Sequence, residues 1–333
     1  MRVVVTGANG FVGRHVVKEL RERGHDVIAP TRRVLDLVEE TPSEIEIALF
    51  GWKADAVIHL AALCGGIGVN KDNPGKFMYE NLQMGINIIE ACRQGKVKKL
   101  VNLSTVCSYP KFTPVPFKEG DIWNGYPEET NAPYGIAKKV CGELAIAYHK
   151  QYGLNVTNLV PVNMAGEYDH FDLYSSHVLP SLIRKFEEEQ KKPGLWGSDI
   201  MSISGVVSYD GQPSQGTRTM RSVTLWGTGS ASRELLYAGD CARAIAIALE
   251  TDTGPDPINL GTGEEITIKA LAEAVKEIGG YTSEILWDHS KPDGQPRRCL
   301  DTSLAKEKLG WQATTPVREI IRRTIDWYRE NNG

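Results

Sequence analysis

Two residues four apart in the stretch NAPYGIAKKVCGELAIAYHKQYG, Tyr134 and Lys138, could work as a chemical pair. On a helix this spacing sends both side chains from one face. A lysine ammonium beside a phenol favours the phenolate and lowers the phenol's pKa, which predicts a proton donor or acceptor effective near neutral pH. Tyr-x-x-x-Lys is common by chance, so a third group is needed. The run LVNLS from Leu100 leads directly into Thr105, whose hydroxyl would stand at the carboxyl edge of a parallel sheet, where open α/β sheets bind ligands.

A second constellation could hold phosphate. TGANGFVG sets Gly7, Gly10 and Gly13 between a β-branched run and an apolar-periodic stretch. Glycines there permit a tight turn, close approach of backbone to a pyrophosphate and tight helix-to-sheet packing, and the helix N-terminus faces the anion. The spacing is G-x-x-G-x-x-G and not G-x-G-x-x-G, and glycine strings also occur in turns that bind nothing; the place directly after an N-terminal strand favours a dinucleotide. After the second strand-like run come Thr31, Arg32 and Arg33, where an NAD-binding chain usually offers an acidic residue to the ribose hydroxyls. Arginine suits a 2′-phosphate, so NADP(H) is favoured, with NAD(H) left open; an Arg pair also serves as solvated loop charge.

These residues need elements to hold them. RVVVT from Arg2, DVIA from Asp26, AVIHLA from Ala56, LVNLS from Leu100 and NVTNLV from Asn155 read as strands, separated by stretches that can form helices. Nearly continuous apolar strands alternating with helices predict an α/β fold with a doubly wound, mostly parallel sheet covered on both faces. The 333 residues exceed the usual size of one core. The expectation is a dinucleotide-binding domain over 1–165, with 223–255 returning to it in part. A smaller C-terminal α/β substrate domain is expected over 166–222 and 256–333. It includes a Gly-, Ser- and Pro-containing segment at about 192–219 that reads as an insertion or lid.

Composition narrows the class. Hydrophobic residues are 41% and charged residues 24% of the chain, as in an ordinary globular protein without long disordered tails. A net charge of -4 supplies no overall basic field, so no nucleic-acid partner is expected. No apolar run is long enough to span a bilayer and the chain opens on a strand instead of a signal segment, which predicts a cytoplasmic protein without a membrane partner. The six cysteines are scattered without a C-x-x-C pair, so neither a metal site nor a disulfide framework is suggested; most read as reduced core thiols, and one could be chemical.

The glycine turn, Thr105, Tyr134 and Lys138 together resemble an extended short-chain dehydrogenase/reductase, whose fold is Rossmann-type. More specifically the chain resembles the GDP-L-fucose synthase family, the GDP-4-keto-6-deoxymannose 3,5-epimerase-4-reductases. AALCGGIGVN from Ala61, CSYPK from Cys107, ETNAPYGIAK from Glu129, SSHVLPSLIRKF from Ser175, LWGTGSASRELLY from Leu225 and SKPDGQPRR from Ser290 match its signature blocks in order. The resemblance implies an NADPH-dependent enzyme that inverts C3 and C5 and reduces C4 of a nucleotide-activated 4-keto-6-deoxy sugar. It also implies a homodimer built on a bundle of two helices from each subunit.

Residue by residue, Thr105 takes the place of the family's catalytic serine, Tyr134 of the proton donor, and Lys138 of the residue that orients the cofactor ribose and tunes the tyrosine. Cys107 and His177 match the acid/base pair of epimerisation. Cofactor contacts are implied for Gly7, Asn9, Gly10, Phe11, Val12, Gly13, Arg32, Ala61, Ala62, Tyr134, Lys138, Pro161 and Asn163. Substrate contacts are implied for Asn163, His177, Lys185, Trp226, Arg233 and Lys291. Taken singly, Cys107 also reads as a buried structural thiol, His177 as a helix-start or surface residue, Trp226 as core and Lys185 as a solvated helix face.

Departures from the family pattern fall at Thr105, at Val106 where serine is typical, and at Asn9 where some members have arginine. Cys64 and the segment at about 192–219 depart as well. Three readings stay open: the epimerase-reductase; another nucleotide-sugar epimerase or 4-ketoreductase; and, less favoured because Tyr134, Lys138, Thr105, Cys107 and His177 are all kept, a non-enzymatic NADP-binding protein.

Overall fold

The computed structural model describes residues 1–192, 221–291 and 293–332, so the expected insertion lies, apart from Lys192, outside the described residues. The chain runs β1 (Arg2–Thr6), α1 (Phe11–Glu22), β2 (Asp26–Ile28), α2 (Pro42–Gly51), β3 (Ala56–His59), α3 (Ile67–Asp72), α4 (Pro74–Gln94), β4 (Lys99–Leu103), α5 (Ala132–Tyr152) and β5 (Val156–Pro161). It continues through β6 (Asn163–Ala165), α6 (Val178–Lys191), β7 (Ser222–Trp226), β8 (Ser232–Arg233), β9 (Leu235–Tyr237), α7 (Ala238–Glu250), β10 (Pro257–Leu260) and β11 (Ile266–Thr267). The last elements are α8 (Ile268–Gly279), β12 (Glu284–Asp288), α9 (Ser303–Leu309) and α10 (Val317–Asn332).

Six strands form one sheet in the order β10-β5-β4-β3-β1-β2, and every neighbouring pair is parallel. The expected doubly wound α/β class is therefore the observed one. Alternation along β1 shows why: Val3 and Val5 enter a core shared with α1 and α7, while Val4 enters a second core shared with α2, α4 and α5. A strand buried on both faces must be apolar at nearly every position, which is what the sequence offers. A third core gathers Leu182 and Phe186 of α6, Val223 and Leu225 of β7, Leu271 and Val275 of α8, and Ile321 and Ile325 of α10. No helix of the described residues is long and apolar enough to cross a membrane.

The winding reverses at β1, with β2 on one side and β3 on the other, and a crevice opens outside the carboxyl ends of those strands. The Thr6 hydroxyl ties the end of β1 to the end of β3 there, accepting the Ala61 N–H at 3.3 Å and lying 2.9 Å from His59 Nδ1. On the opposite flank, fully buried Glu234 ties three segments together. Its carboxylate accepts backbone N–H groups from Thr262, from Gly263 at 2.7 Å and from Leu300 at 2.8 Å. The turn after β10 and the strand-like segment beyond Arg298 are thereby fixed beside Arg233.

Glu234→Ala leaves the buried Leu300 N–H without an acceptor and the Thr262 and Gly263 N–H groups of the exposed turn to water, so it should cost about 1–3 kcal/mol, the desolvation penalty of one orphaned buried group. Urea unfolding followed by circular dichroism measures this, and Glu234→Gln, which keeps the shape and an acceptor oxygen, should lose less.

Candidate active site

A cavity of about 1510 Å³ follows the carboxyl edge of the sheet from the glycine turn to Trp226. At one end its wall includes Gly7, Asn9, Gly10, Phe11, Val12, Gly13, Ala61, Ala62, Pro161 and Arg32, all expected there. Gly7 has φ +70°, and a Cβ on it would lie 2.7 Å from Ala61 N; a Cβ on Gly13 would lie 2.1 Å from the Gly7 carbonyl oxygen. The turn can thus press on β3 and α1 only with glycine at these places. Gly10 caps α1 without a side-chain bond, which leaves the leading N–H groups to an anion. The donor set fits the pyrophosphate of a dinucleotide. Arg32 is exposed at the wall and donates from Nε to Asp36 at 2.9 Å, with Glu80 at 4.0 Å; Arg33 is exposed and forms no part of the wall.

The middle of the cavity is built where α5 lands on the end of β4. Thr105 Oγ1 accepts the Cys107 N–H at 3.2 Å, capping a single 3-10 turn over Val106–Ser108. A Cβ on Gly135 would sit 2.1 Å from the Cys107 carbonyl oxygen, and Ser108 Oγ donates to the Gly135 carbonyl at 3.2 Å. This contact brings Tyr134 beside Thr105 and Cys107, with Lys138 one turn further along α5 and only 5% exposed.

The electrostatics differ from the sequence expectation. Burial drives the Tyr134 phenol well above its ordinary pKa, and charge on the Cys64 and Cys107 thiols adds to this, while the Thr105 hydroxyl opposes it. Burial also lowers Lys138. Desolvation of the charged forms outweighs the expected pull of lysine on phenol, so Tyr134 is held as a protonated donor.

His177 caps the start of α6 without a side-chain cap bond and lines the cavity. The preceding residues are docked on the glycine pair after β3: Gly66 N donates to the Ser175 carbonyl at 2.7 Å, and a Cβ on Gly66 would lie 2.5 Å from the Ser176 carbonyl oxygen. His177 is open to the cavity space, yet enclosure by the surrounding walls first, then Arg298 and His170, lower its pKa and favour neutral imidazole. Cys107 is half-buried on the wall and not sealed in the core. Cys64 shares that wall, exposed to the cavity space, and desolvation by the walls around it raises its thiol pKa.

The far end is cationic. Asn163, Lys185, Trp226 and Arg233 line it. Lys185 Nζ donates to the Thr224 carbonyl at 3.3 Å, so the side chain lies along β7 and does not simply project into solvent. Trp226 is 63% exposed, which removes the core reading. Lys291 is not part of the wall, but its Nζ stands 5.7 Å from the Trp226 ring centroid. Arg233 donates to the carbonyls of Ser232 and Gln295 at 2.6 and 2.7 Å, and burial pushes its pKa down to about 10.

Two residues on this wall carried no sequence signal of their own. Arg298, 7% exposed, points Nη1 at Cys107 Sγ (3.8 Å) and Asn163 Oδ1 (3.4 Å). Its neighbour Arg297, identical in type, pairs with Glu265 at the surface. Asp169 is 8% exposed, its Oδ2 has no partner among the described residues, and burial raises its pKa to about 7.

Comparison with known proteins gives the family and the fold. The model of the NAD dependent epimerase/dehydratase family matches residues 3–261, and that of GDP-mannose 4,6 dehydratase matches 214–324. Probable GDP-L-fucose synthase 1 of Oryza sativa subsp. japonica is 35% identical over 332 residues, 99% of this chain and 92% of that protein. GDP-L-fucose synthase of Sinorhizobium fredii is 36% identical over 330 residues, 99% of this chain and 96% of that one. A GDP-mannoheptose C4 reductase from Campylobacter jejuni, solved with NADP bound, superposes with a TM-score of 0.80 at 28% identity over 98% of both chains.

The raised carboxyl of Asp169 yields a signed pH dependence. Folding takes up a proton there between the unfolded value near 4 and the folded value of about 7, so stability falls as pH rises through that window and is flat above it. Asp169→Asn removes the penalty. The stability difference, variant minus wild type, should therefore become more favourable to the variant from about pH 5 to about pH 8, as read from urea unfolding at both; a pH-independent difference would refute the assignment.

Proposed function

This chain belongs to the NAD dependent epimerase/dehydratase family, in the branch of the GDP-L-fucose synthases, and we propose from that premise that it converts GDP-4-keto-6-deoxymannose to GDP-L-fucose with NADPH. The observation that carries the reading is the convergence of Thr105, Tyr134, Lys138, Cys107 and His177 on one cavity whose far end holds Arg233 and Trp226. The six-stranded half with the glycine turn takes the dinucleotide, and the half built on the third core takes the sugar nucleotide.

When bound, NADPH supplies the hydride that reduces the C4 carbonyl. The protein's part is to handle protons. A C4 ketone acidifies the hydrogens on C3 and C5, so Cys107 and His177, on separate elements around one space, can remove a proton from one face and return one to the other. Tyr134 and Thr105 stabilise the oxygen that gains charge at C4, and Tyr134, held protonated, then gives its proton to that oxygen. Arg233 and Lys185 meet the diphosphate, and Trp226 offers a flat apolar face to the base, with Lys291 above it. Among the described residues the hydrogen-bond partners of Arg233 are both backbone carbonyls, consistent with a cation awaiting an anionic ligand.

Arg32 is the candidate ligand of the 2′-phosphate, and we take the protein as a cytoplasmic homodimer. The exposed Tyr79 and Ile86 of α4 and Val140 of α5, two helices packed on each other, support a helix-bundle contact between subunits.

Mixing the protein with NADPH and GDP-4-keto-6-deoxymannose should consume the cofactor and give GDP-L-fucose by NMR. Reduction without inversion at C3 and C5 moves the reading to a plain 4-reductase, and NADPH binding without turnover moves it to another nucleotide 4-keto sugar. Tyr134→Phe should cut kcat by about 100-fold or more while leaving NADPH affinity in place, since positioned acid catalysis contributes about that factor. Arg32→Ser should weaken NADPH binding by about 10-fold or more, by fluorescence titration, because it removes charge-assisted bonds of about 1.5–3 kcal/mol. NADH binding should barely change, and equal losses for both cofactors would sink the assignment of Arg32.

A further inference from the structure

We infer that Arg298 is the positioning residue of the Cys107 half of the acid/base pair: it holds the sulfur in place and provides the countercharge whenever that sulfur is negative. The inference rests on the reading above in which Cys107 and His177 exchange the C3 and C5 protons. Arg298 lies on the segment after β12, 191 positions from Cys107 in sequence, yet its Nη1 is 3.8 Å from Cys107 Sγ. The other edge of the guanidinium is clamped. Gln295 Oε1 accepts from both Nε (3.1 Å) and Nη2 (2.8 Å), and Gln295 Nε2 is anchored on the Lys111 carbonyl at 2.8 Å. With that edge held, Nη1 is left to the sulfur and to Asn163 Oδ1.

The chemistry needs such a cation. In each inversion the C–H proton passes to one partner as its electron pair becomes part of an enolate of the C4 ketone, and the other partner gives a proton to the opposite face of the same carbon, re-forming the C–H bond. In either direction one state of the cycle carries a thiolate, before it takes a proton or after it has given one. A guanidinium is charged at every working pH and binds through fixed donors, so it stabilises that anion without exchanging protons itself. The same charge disfavours protonated His177, which keeps the two partners in complementary states. Arg297 cannot substitute, because it is engaged with Glu265 on the surface.

The test separates epimerisation from reduction. With NADP⁺ in place of NADPH, deuterium wash-in from D₂O at C3 and C5 of GDP-4-keto-6-deoxymannose is followed by NMR for wild type, Arg298→Met and Arg298→Lys. Affinities for NADPH and GDP are measured alongside. The inference expects Arg298→Met to slow wash-in by about 10- to 100-fold, the range for losing a bond to a charged group, with both affinities within about 2-fold of wild type. Arg298→Lys, which restores the charge without the fork, should recover most of the loss. Unchanged wash-in in Arg298→Met overturns the inference and leaves the proposed function standing. A parallel loss of GDP affinity also overturns it, because the guanidinium then serves the diphosphate. Absence of wash-in in the wild-type protein overturns both the inference and the epimerase reading.

Discussion

The Cys107 carbonyl oxygen would lie 2.1 Å from any Cβ on Gly135, and the remainder of the site follows from that contact of backbone on backbone. Because α5 can settle fully onto the 3-10 turn after β4, Tyr134 and Lys138 arrive beside Thr105 and Cys107 without a long side chain having to reach. The same device recurs at Gly13 against Gly7 and at Gly66 against Ser176, where it sets the phosphate turn and the start of α6. Groups carried on backbones in contact have few soft degrees of freedom between them. Catalytic geometry here is therefore a property of the packed scaffold and not of loop conformation.

Enclosure by the walls gives this cavity a consistent electrostatic sense, even for Cys64 and His177, which are open to the cavity space. It raises Tyr134 and Cys64 and lowers Lys138 and His177, and each shift favours the uncharged form. Against that background the guanidiniums of Arg233 and Arg298 stand out, since arginine retains its charge even where burial opposes it. Both are held at Gln295, Arg233 by its backbone carbonyl and Arg298 by its side-chain oxygen, so a permanent positive field stands beside the Cys107 sulfur.

The strands were legible because a strand buried on both faces can be written only in apolar residues, and Val3, Val4 and Val5 show this within one element. Tyr134 and Lys138 were legible because helical spacing converts four positions into one face. The sign of their coupling was not, since it depends on how much water the fold removes. Arg298 illustrates a deeper limit. Nothing local separates it from Arg297; one is buried and the other exposed because Gln295, Lys111 and the turn at Cys107 meet there, and that meeting is tertiary. The start of α7 is a milder case. It lies at Ala238, and Asp240 in its first turn is buried and accepts N–H groups from Thr314 and Thr315 at 2.9 and 2.8 Å, a contact that an apolar pattern does not register.

The two departures from the family pattern at the end of β4 carry different weight. Val106 is 3% exposed and packs into the core on the α1 and α7 side of the sheet, so losing a serine there removes a hydroxyl from a place that favours an apolar side chain. Thr105 keeps its hydroxyl, and the added methyl has a consequence. A β-branched residue is restricted at χ1, and here the oxygen is further committed by accepting the Cys107 N–H, which leaves its own hydrogen to point elsewhere. A serine could rotate its hydroxyl away from Tyr134 at little cost. On the proposed mechanism the backbone bond and the β-branch together hold the donor where charge develops, which is the condition under which a hydrogen bond contributes to a transition state and not only to binding.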